Sequence, residues 1–137
     1  MLLHRSKFVP GLSLIAAIAL ASACGDSTGP LAPFEPQIAN TQDDFQFQAS
    51  GVTNVTWTFN YTWSNTGDSA TVNQSTTTTG GSAVLKVFNQ AGTVELYSQD
   101  LSSNGTFGMT KSTAGNWRIR VIFTNYSGTV NFRVQKQ

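Results

Sequence analysis

Thr56-Trp57-Thr58-Phe59-Asn60-Tyr61-Thr62-Trp63 alternates a polar residue with a large aromatic one along its whole length. Side chains of an extended strand point to opposite faces in turn, so this period of two predicts a strand with one face on a core and the other in water. Two later runs repeat the pattern. Trp117, Ile119, Val121 and Phe123 alternate with Arg118, Arg120, Ile122 and Thr124; Val130, Phe132 and Val134 alternate with Asn131, Arg133 and Gln135. Weaker strand signals lie at residues 45–49, 69–77, 83–88, 94–97 and 106–109. No stretch after Cys24 has the apolar period of a helix.

Between these runs stand turn formers: Asn65-Thr66-Gly67-Asp68, Gly80-Gly81, Asn89-Gln90-Ala91-Gly92, Asn104-Gly105, Ala114-Gly115 and Ser127-Gly128. Glycine and asparagine accept the positive φ that tight hairpins need. About eight short strands at regular spacing predict an all-β domain over residues 43–137, an antiparallel β-sandwich of jelly-roll-like or immunoglobulin-like kind, with a closed barrel as the alternative. Residues 83–88 are apolar at both parities, which suits a central strand covered on both faces or a strand lying under the preceding segment.

The first 24 residues have another character. His4, Arg5 and Lys7 precede an uncharged apolar run at residues 8–20, then Ala21, Ser22 and Ala23. The apolar run has 13 residues, short of the ~20 that span a bilayer as a permanent helix. A charged start, a short apolar segment and small residues form the layout of an export signal, here residues 1–23. Ala21-Ser22-Ala23-Cys24 resembles the bacterial lipoprotein box, although Ala21 stands where leucine is commonest. The resemblance implies that Cys24 becomes the lipidated first residue of the mature chain, that the membrane is a partner through this anchor, and that the protein sits in a bacterial cell envelope. With Gly25 rather than Asp after the cysteine, it implies the outer membrane in a diderm host. Cysteine arithmetic agrees with a handle, because the single cysteine of this chain can form no internal disulfide.

Residues 24–42 read as the lipidated cysteine and a flexible linker. Pro30, Pro33 and Pro36 recur every third residue without hydrophobic periodicity, which favours extended backbone of about 3.1 Å per residue and a reach of roughly 50 Å.

The available chemistry is narrow. The one histidine, His4, falls in the leader, and the one cysteine is the lipid site. Histidine-assisted nucleophilic catalysis and His or Cys metal sites are therefore not offered by the mature chain. No pair of acids has recognisable catalytic spacing, so no enzyme and no cofactor is expected. Calcium alone merits weighing, with Asp43, Asp44, Asp68 and Asp100 near expected loops as weak ligand candidates. The bland reading of these acids is turn formation. Trp63 and Tyr61, nearest the Asn65 turn, and Tyr97 and Tyr126, beside loops, are candidate ligand-binding aromatics, set against a core role. Arg118, Arg120 and Arg133 are a candidate anion patch on the outward side of neighbouring strands, set against a solvated charged face. From Cys24 onward there are six basic and seven acidic residues, a formal net charge of −1, so a nucleic-acid partner is not expected.

Residues 83–136 carry a second resemblance. An apolar strand, the Asn89–Gly92 hairpin, Leu96-Tyr97, a polar stretch and Ala114-Gly115-Asn116-Trp117-Arg118-Ile119-Arg120-Val121 before a closing strand are similar to bacterial pre-peptidase C-terminal modules, which are accessory and non-catalytic β-sandwiches. Two functions follow as expectations: a lipid-anchored binding or adhesion-type module for a saccharide or an envelope protein, or an assembly protein of the envelope acting through protein contacts.

Overall fold

The computed structural model describes residues 29–137. The leader (residues 1–23), Cys24 and the start of the expected linker lie outside the described residues. Seven strands follow a short 3-10 turn at Gly29–Phe34: β1 Gln37–Thr41, β2 Asp44–Asn65, β3 Ala70–Gln74, β4 Thr77–Phe88, β5 Glu95–Asp100, β6 Gly105–Gly108 and β7 Gly115–Lys136. All pairings between them are antiparallel. The all-β expectation holds.

About eight expected segments become seven strands because two pairs of them merge into single long strands and β1 is added. Residues 45–49 and 56–63 belong to one strand, β2, and residues 117–124 and 130–134 belong to another, β7. β2 and β7 pair along their length, but their register slips between Ala49 and Val52, Val52 and Val55, and Val55 and Trp57. Each slip is a β-bulge, which bends a strand and deepens its twist. Backbone groups freed there are met by side chains. The Asn54 N–H donates to Ser127 Oγ at 2.9 Å, and the Asn125 N–H donates to Thr56 Oγ1 at 2.8 Å. Asn54 and Asn125 adopt φ of 49° and 47°, and Gly51 and Gly81 both adopt 65°, a left-handed region that asparagine and glycine tolerate best. The corner that results folds the ladder over on itself. At the other end the Asp43 N–H donates to the Ser64 carbonyl at 2.8 Å, so the two ends of β2 meet.

Two layers arise from this fold. The first sheet contains β1, the first part of β2, the last part of β7, β3 and β6. The second contains the last part of β2, the first part of β7, β4 and β5. Phe45 and Phe47 of the first sheet face Tyr61 and Phe59 of the second, with ring centroids 5.2 and 6.1 Å apart. Phe132 stacks on Phe47 at 5.4 Å, and Trp63 meets Trp117 edge-on at 6.0 Å. Large aromatics thus supply the core, as inward alternation requires. In β4, Ala83, Leu85 and Val87 are buried while Val84, Lys86 and Phe88 are half-buried on the outer side. β4 is a central strand between β5 and β7, and its outer face is half-buried rather than covered by a second layer among the described residues.

The linker expectation needs correction over residues 29–41. β1 pairs with β2 from Gln37↔Gln48 to Thr41↔Asp44. Leu31 is fully buried, and Phe34 and Ile38 pack against the core. Their spacing, i, i+3 and i+7, is that of a helix face, but Pro30, Pro33 and Pro36 are interleaved with it, so the proline pattern dominated the sequence. The domain therefore includes residues 29–41 as well as those from residue 43 onward. A chain drawn fully straight from Cys24 to Gly29 spans no more than about 18 Å, not 50 Å.

Candidate functional site

The outward face of the second sheet follows from the ladder. Residues two apart on a strand share a face, so Arg118 and Arg120 both point outward from β7 and both are exposed. Register places Arg120 between Asn60 of β2 and Lys86 of β4, and Arg118 between Thr62 and Phe88. Each guanidinium is held by its Nε. Arg120 Nε donates to Asn60 Oδ1 at 3.0 Å, and its guanidinium lies over the Phe88 ring, 4.9 Å from the centroid. Arg118 Nε donates to the Gln90 carbonyl at 3.1 Å. A Cβ on Gly92 would press on Arg118 Nη1 at 2.9 Å, so the hairpin closes tightly around this arginine.

Two open hollows adjoin these side chains. One, of about 360 Å³, is lined by Asn60, Tyr61, Thr62, Arg118 and Arg120. The other, of about 400 Å³, lies between residues 89–91 of the β4–β5 hairpin and residues 112–114. Gln90 borders both regions: its carbonyl holds Arg118 and its Oε1 accepts the Asn116 N–H at 3.1 Å. The walls are braced from below. Asn89 Oδ1 accepts the N–H groups of Thr93 and Val94, and Trp117 Nε1 donates to the Thr113 carbonyl at 2.8 Å.

Charge pairing singles out the same two residues. Among the described residues, Lys86 pairs with Glu95, Lys111 with Asp68, Arg133 with Asp44 and Lys136 with Asp43. Arg118 and Arg120 are the cations among them that have no carboxylate partner. Their Nη groups donate no hydrogen bond within the described residues, so both present unused donors to solvent.

The expected patch is therefore two arginines and not three. Arg133 lies on the first sheet, where its Nε and Nη2 donate to the Asp44 carboxylate at 2.8 and 2.9 Å. That bond holds the Asp44 carboxyl below its usual range and raises the Arg133 pKa. Sequence spacing could not separate Arg133 from the others, because one strand, β7, serves both sheets.

The candidate aromatics also need correction. Trp63 and Tyr126 are fully buried and Tyr97 nearly so, and none offers a ring face to a ligand. Tyr126 Oη donates to the Thr77 carbonyl, and Tyr97 Oη donates to Gln74 Oε1 at 2.6 Å. Tyr61 is half-buried, stands at the wall of the first hollow and packs on Phe45 and Phe47. Burial pushes the phenols of Tyr61 and Tyr97 up to about 12. Among the described residues the exposed large aromatic is instead Trp57, 52% accessible, whose indole lies beside Gly29. Its parity is that of Phe59, whose ring borders the same glycine, and it stands where the regular ladder meets the corner.

The four calcium candidates do not converge. Asp43 accepts from the Thr66 backbone N–H at 2.7 Å, a bond that lowers its pKa. Asp44 is bound to Arg133, Asp68 faces Lys111, and Asp100 accepts from Ser102 in the β5–β6 turn. No group of three metal-ligating side chains occurs among the described residues.

No family model matches the chain, and no curated protein matches it. A solved structure with some likeness is the C-terminal CBM6 of LamC, a marine laminarinase from Zobellia galactanivorans. It is 12% identical, with 74% of this chain and 89% of that chain covered, at a TM-score of 0.30.

Proposed function

We propose that this chain is an exported, lipid-anchored binding module of the bacterial cell envelope that carries out no turnover and holds its ligand on the outer face of the second sheet. The observation that carries this reading is the place of Arg118 and Arg120. Both arginines lack a carboxylate partner among the described residues, and both line an open hollow at the end of the sheet remote from Gly29. Gly29 lies against Trp57 at the corner. Thr62, opposite Arg118, is five residues further along β2, or about 17 Å at the rise of a strand. Gly29 thus lies toward one end of this part of β2 and the arginines toward the other. Anchored at Cys24, the domain would stand close to its membrane with the hollow on the more distant part of the sheet. Asn60, Thr62 and a half-buried tyrosine around the arginines suit a hydroxyl-rich ligand such as a saccharide.

Fractionating cells that express the full chain tests the anchor: wild type should sediment with membranes and Cys24→Ser should appear in soluble fractions. A glycan array probed with the full chain in detergent tests the ligand face. Binding that Arg118→Ala and Arg120→Ala together abolish supports it. Silence across the array, with envelope proteins captured instead, would favour the assembly role.

A further inference from the structure

We propose that the ligand of this face is an acidic polysaccharide, with the oxyanions of separate sugar residues taken one each by Arg118 and Arg120. The inference rests on the reading of the second sheet's outer face as the binding surface, and names the class of its ligand.

A guanidinium that is fixed at Nε and free at both Nη atoms offers two parallel donors, which match the two oxygens of a carboxylate or sulfate. Both arginines are in this state, Arg120 held by Asn60 and Phe88 and Arg118 by Gln90. Fixing the side chains in advance lowers the ordering cost of a charged contact. Their Cα atoms stand about 6.6 Å apart at strand rise, and separate groups fix them, Asn60 of β2 and the Phe88 ring of β4 for Arg120, the Gln90 carbonyl of the β4–β5 hairpin for Arg118. A polymer bearing a negative group on successive rings engages both.

The surroundings argue for sugar. Asn60 and Thr62 line the first hollow, and Asn89, Gln90, Ser112 and Thr113 line the second. These amides and hydroxyls match ring hydroxyls, whereas a protein partner is usually anchored by aromatic residues or arginine in well-packed, fully desolvated pockets, and both hollows here are open. The nearest lysine, Lys86, is neutralised by Glu95 at 2.9 Å, so the positive charge of the face comes from the two arginines. A bilayer of anionic lipid is the poorer match, because the arginines lie on the part of the sheet more distant from Gly29.

The test uses the full chain in neutral detergent and affinity electrophoresis in gels containing polygalacturonate, dextran sulfate or uncharged dextran. Retardation by one of the acidic polymers and not by dextran is expected. Arg118→Gln and Arg120→Gln should each weaken it about tenfold, in line with loss of one charge-assisted contact. Arg133→Gln should leave it unchanged. Retardation should fall as salt rises, because the contacts are exposed. The carboxylated and sulfated gels separate the two sources of oxyanion. Equal retardation by plain dextran would overturn the acidic class, and retardation by acidic polymer that persists in the double variant would overturn its capture by Arg118 and Arg120; both would leave a binding module. Flotation with phosphatidylglycerol vesicles that the double variant loses would overturn the polysaccharide in favour of lipid. No retardation in any gel, with wild-type circular dichroism, would remove both the class and the saccharide reading.

Discussion

Phe45 and Tyr61 belong to the same β-strand, sixteen positions apart, yet their rings face each other across the core at 5.2 Å. A regular strand of that length would hold them about 50 Å apart. The fold therefore depends on the corner between them, where Gly51, Asn54, Asn125 and Gly81 take positive φ. Gly51 and Gly81 share φ of 65°, but a Cβ on Gly51 meets nothing within 4 Å, while one on Gly81 runs into the carbonyl oxygens of Asn125 and Thr124. Gly51→Ala should cost about 1 kcal/mol, the strain of left-handed backbone alone. Gly81→Ala should cost at least about 3 kcal/mol, because backbone has to move as well. Urea midpoints of the two variants give the comparison, and equal losses would mean that the corner is not closely packed.

Gln74 is buried and joins three elements. It accepts from Tyr97 Oη at 2.6 Å and donates to the carbonyls of Asp100 and Ser103 at 3.1 and 2.7 Å. Gln74→Leu removes all three bonds at a buried position and should cost about 3 kcal/mol. Tyr97→Phe removes one of the bonds and should cost about 1 kcal/mol. Chemical unfolding of both variants checks the ratio.

Stability should fall at both ends of the pH scale. Asp44 is held below its usual pKa by the hydrogen bond from Arg133, and Asp43 by that from the Thr66 backbone. A carboxyl with a depressed folded pKa stabilises the fold above its unfolded value, near 3.8, and this contribution is lost as pH drops through the folded pKa. Tyr61 and Tyr97 behave in the opposite sense. Their folded values lie near 12 against an ordinary 10, so the stabilisation is complete below 10 and disappears as pH rises toward 12. Urea midpoints should decline below about pH 4, and Asp44→Asn should flatten that decline. They should decline again above about pH 10, less steeply in Tyr61→Phe.

Trp57 is the accessible tryptophan of this domain, since Trp63 and Trp117 are fully buried. Acrylamide should quench one component of the emission and spare the rest, and Trp57→Phe should remove the quenchable component. Uniform quenching of the wild type would mean that the Trp63–Trp117 pair is not closed.

The legible parts of this chain were those where two residues of local sequence decide the outcome. Alternation in residues 56–63 and 117–123 located the inner face of the second sheet, and it placed Arg118 and Arg120 together outside. Alternation does not show whether a strand continues through a bulge. Residues 50–55 fall between two expected strands, although the ladder passes through them by substituting the hydroxyls of Thr56 and Ser127 for backbone partners. For the same reason Arg133 looked like a neighbour of Arg120. The supports of the site, Asn60 and Gln90, are distant in sequence from the arginines they hold. Their roles depend on register, which no local pattern encodes.

Leu31 decides whether residues 29–41 are spacer or domain. A spacer is solvated along its length, so truncating one of its side chains leaves stability within about 0.5 kcal/mol. Leu31 is instead fully buried at the start of the described chain, in the turn that packs against β2, and β1 follows it into the ladder. Leu31→Ala should therefore cost about 2–4 kcal/mol, the usual loss for a leucine removed from a closed core. Deletion of residues 29–41 should be worse, because it strips β1 from Phe45 and Phe47 and leaves the backbone of residues 44–48 unpaired along one edge. Protein so shortened is expected to lose its sharp urea transition, while protein that begins at Gly29 should keep it. An unchanged midpoint in Leu31→Ala, with a cooperative transition after the deletion, would return the segment to the role of a free tether and restore its longer reach from the membrane.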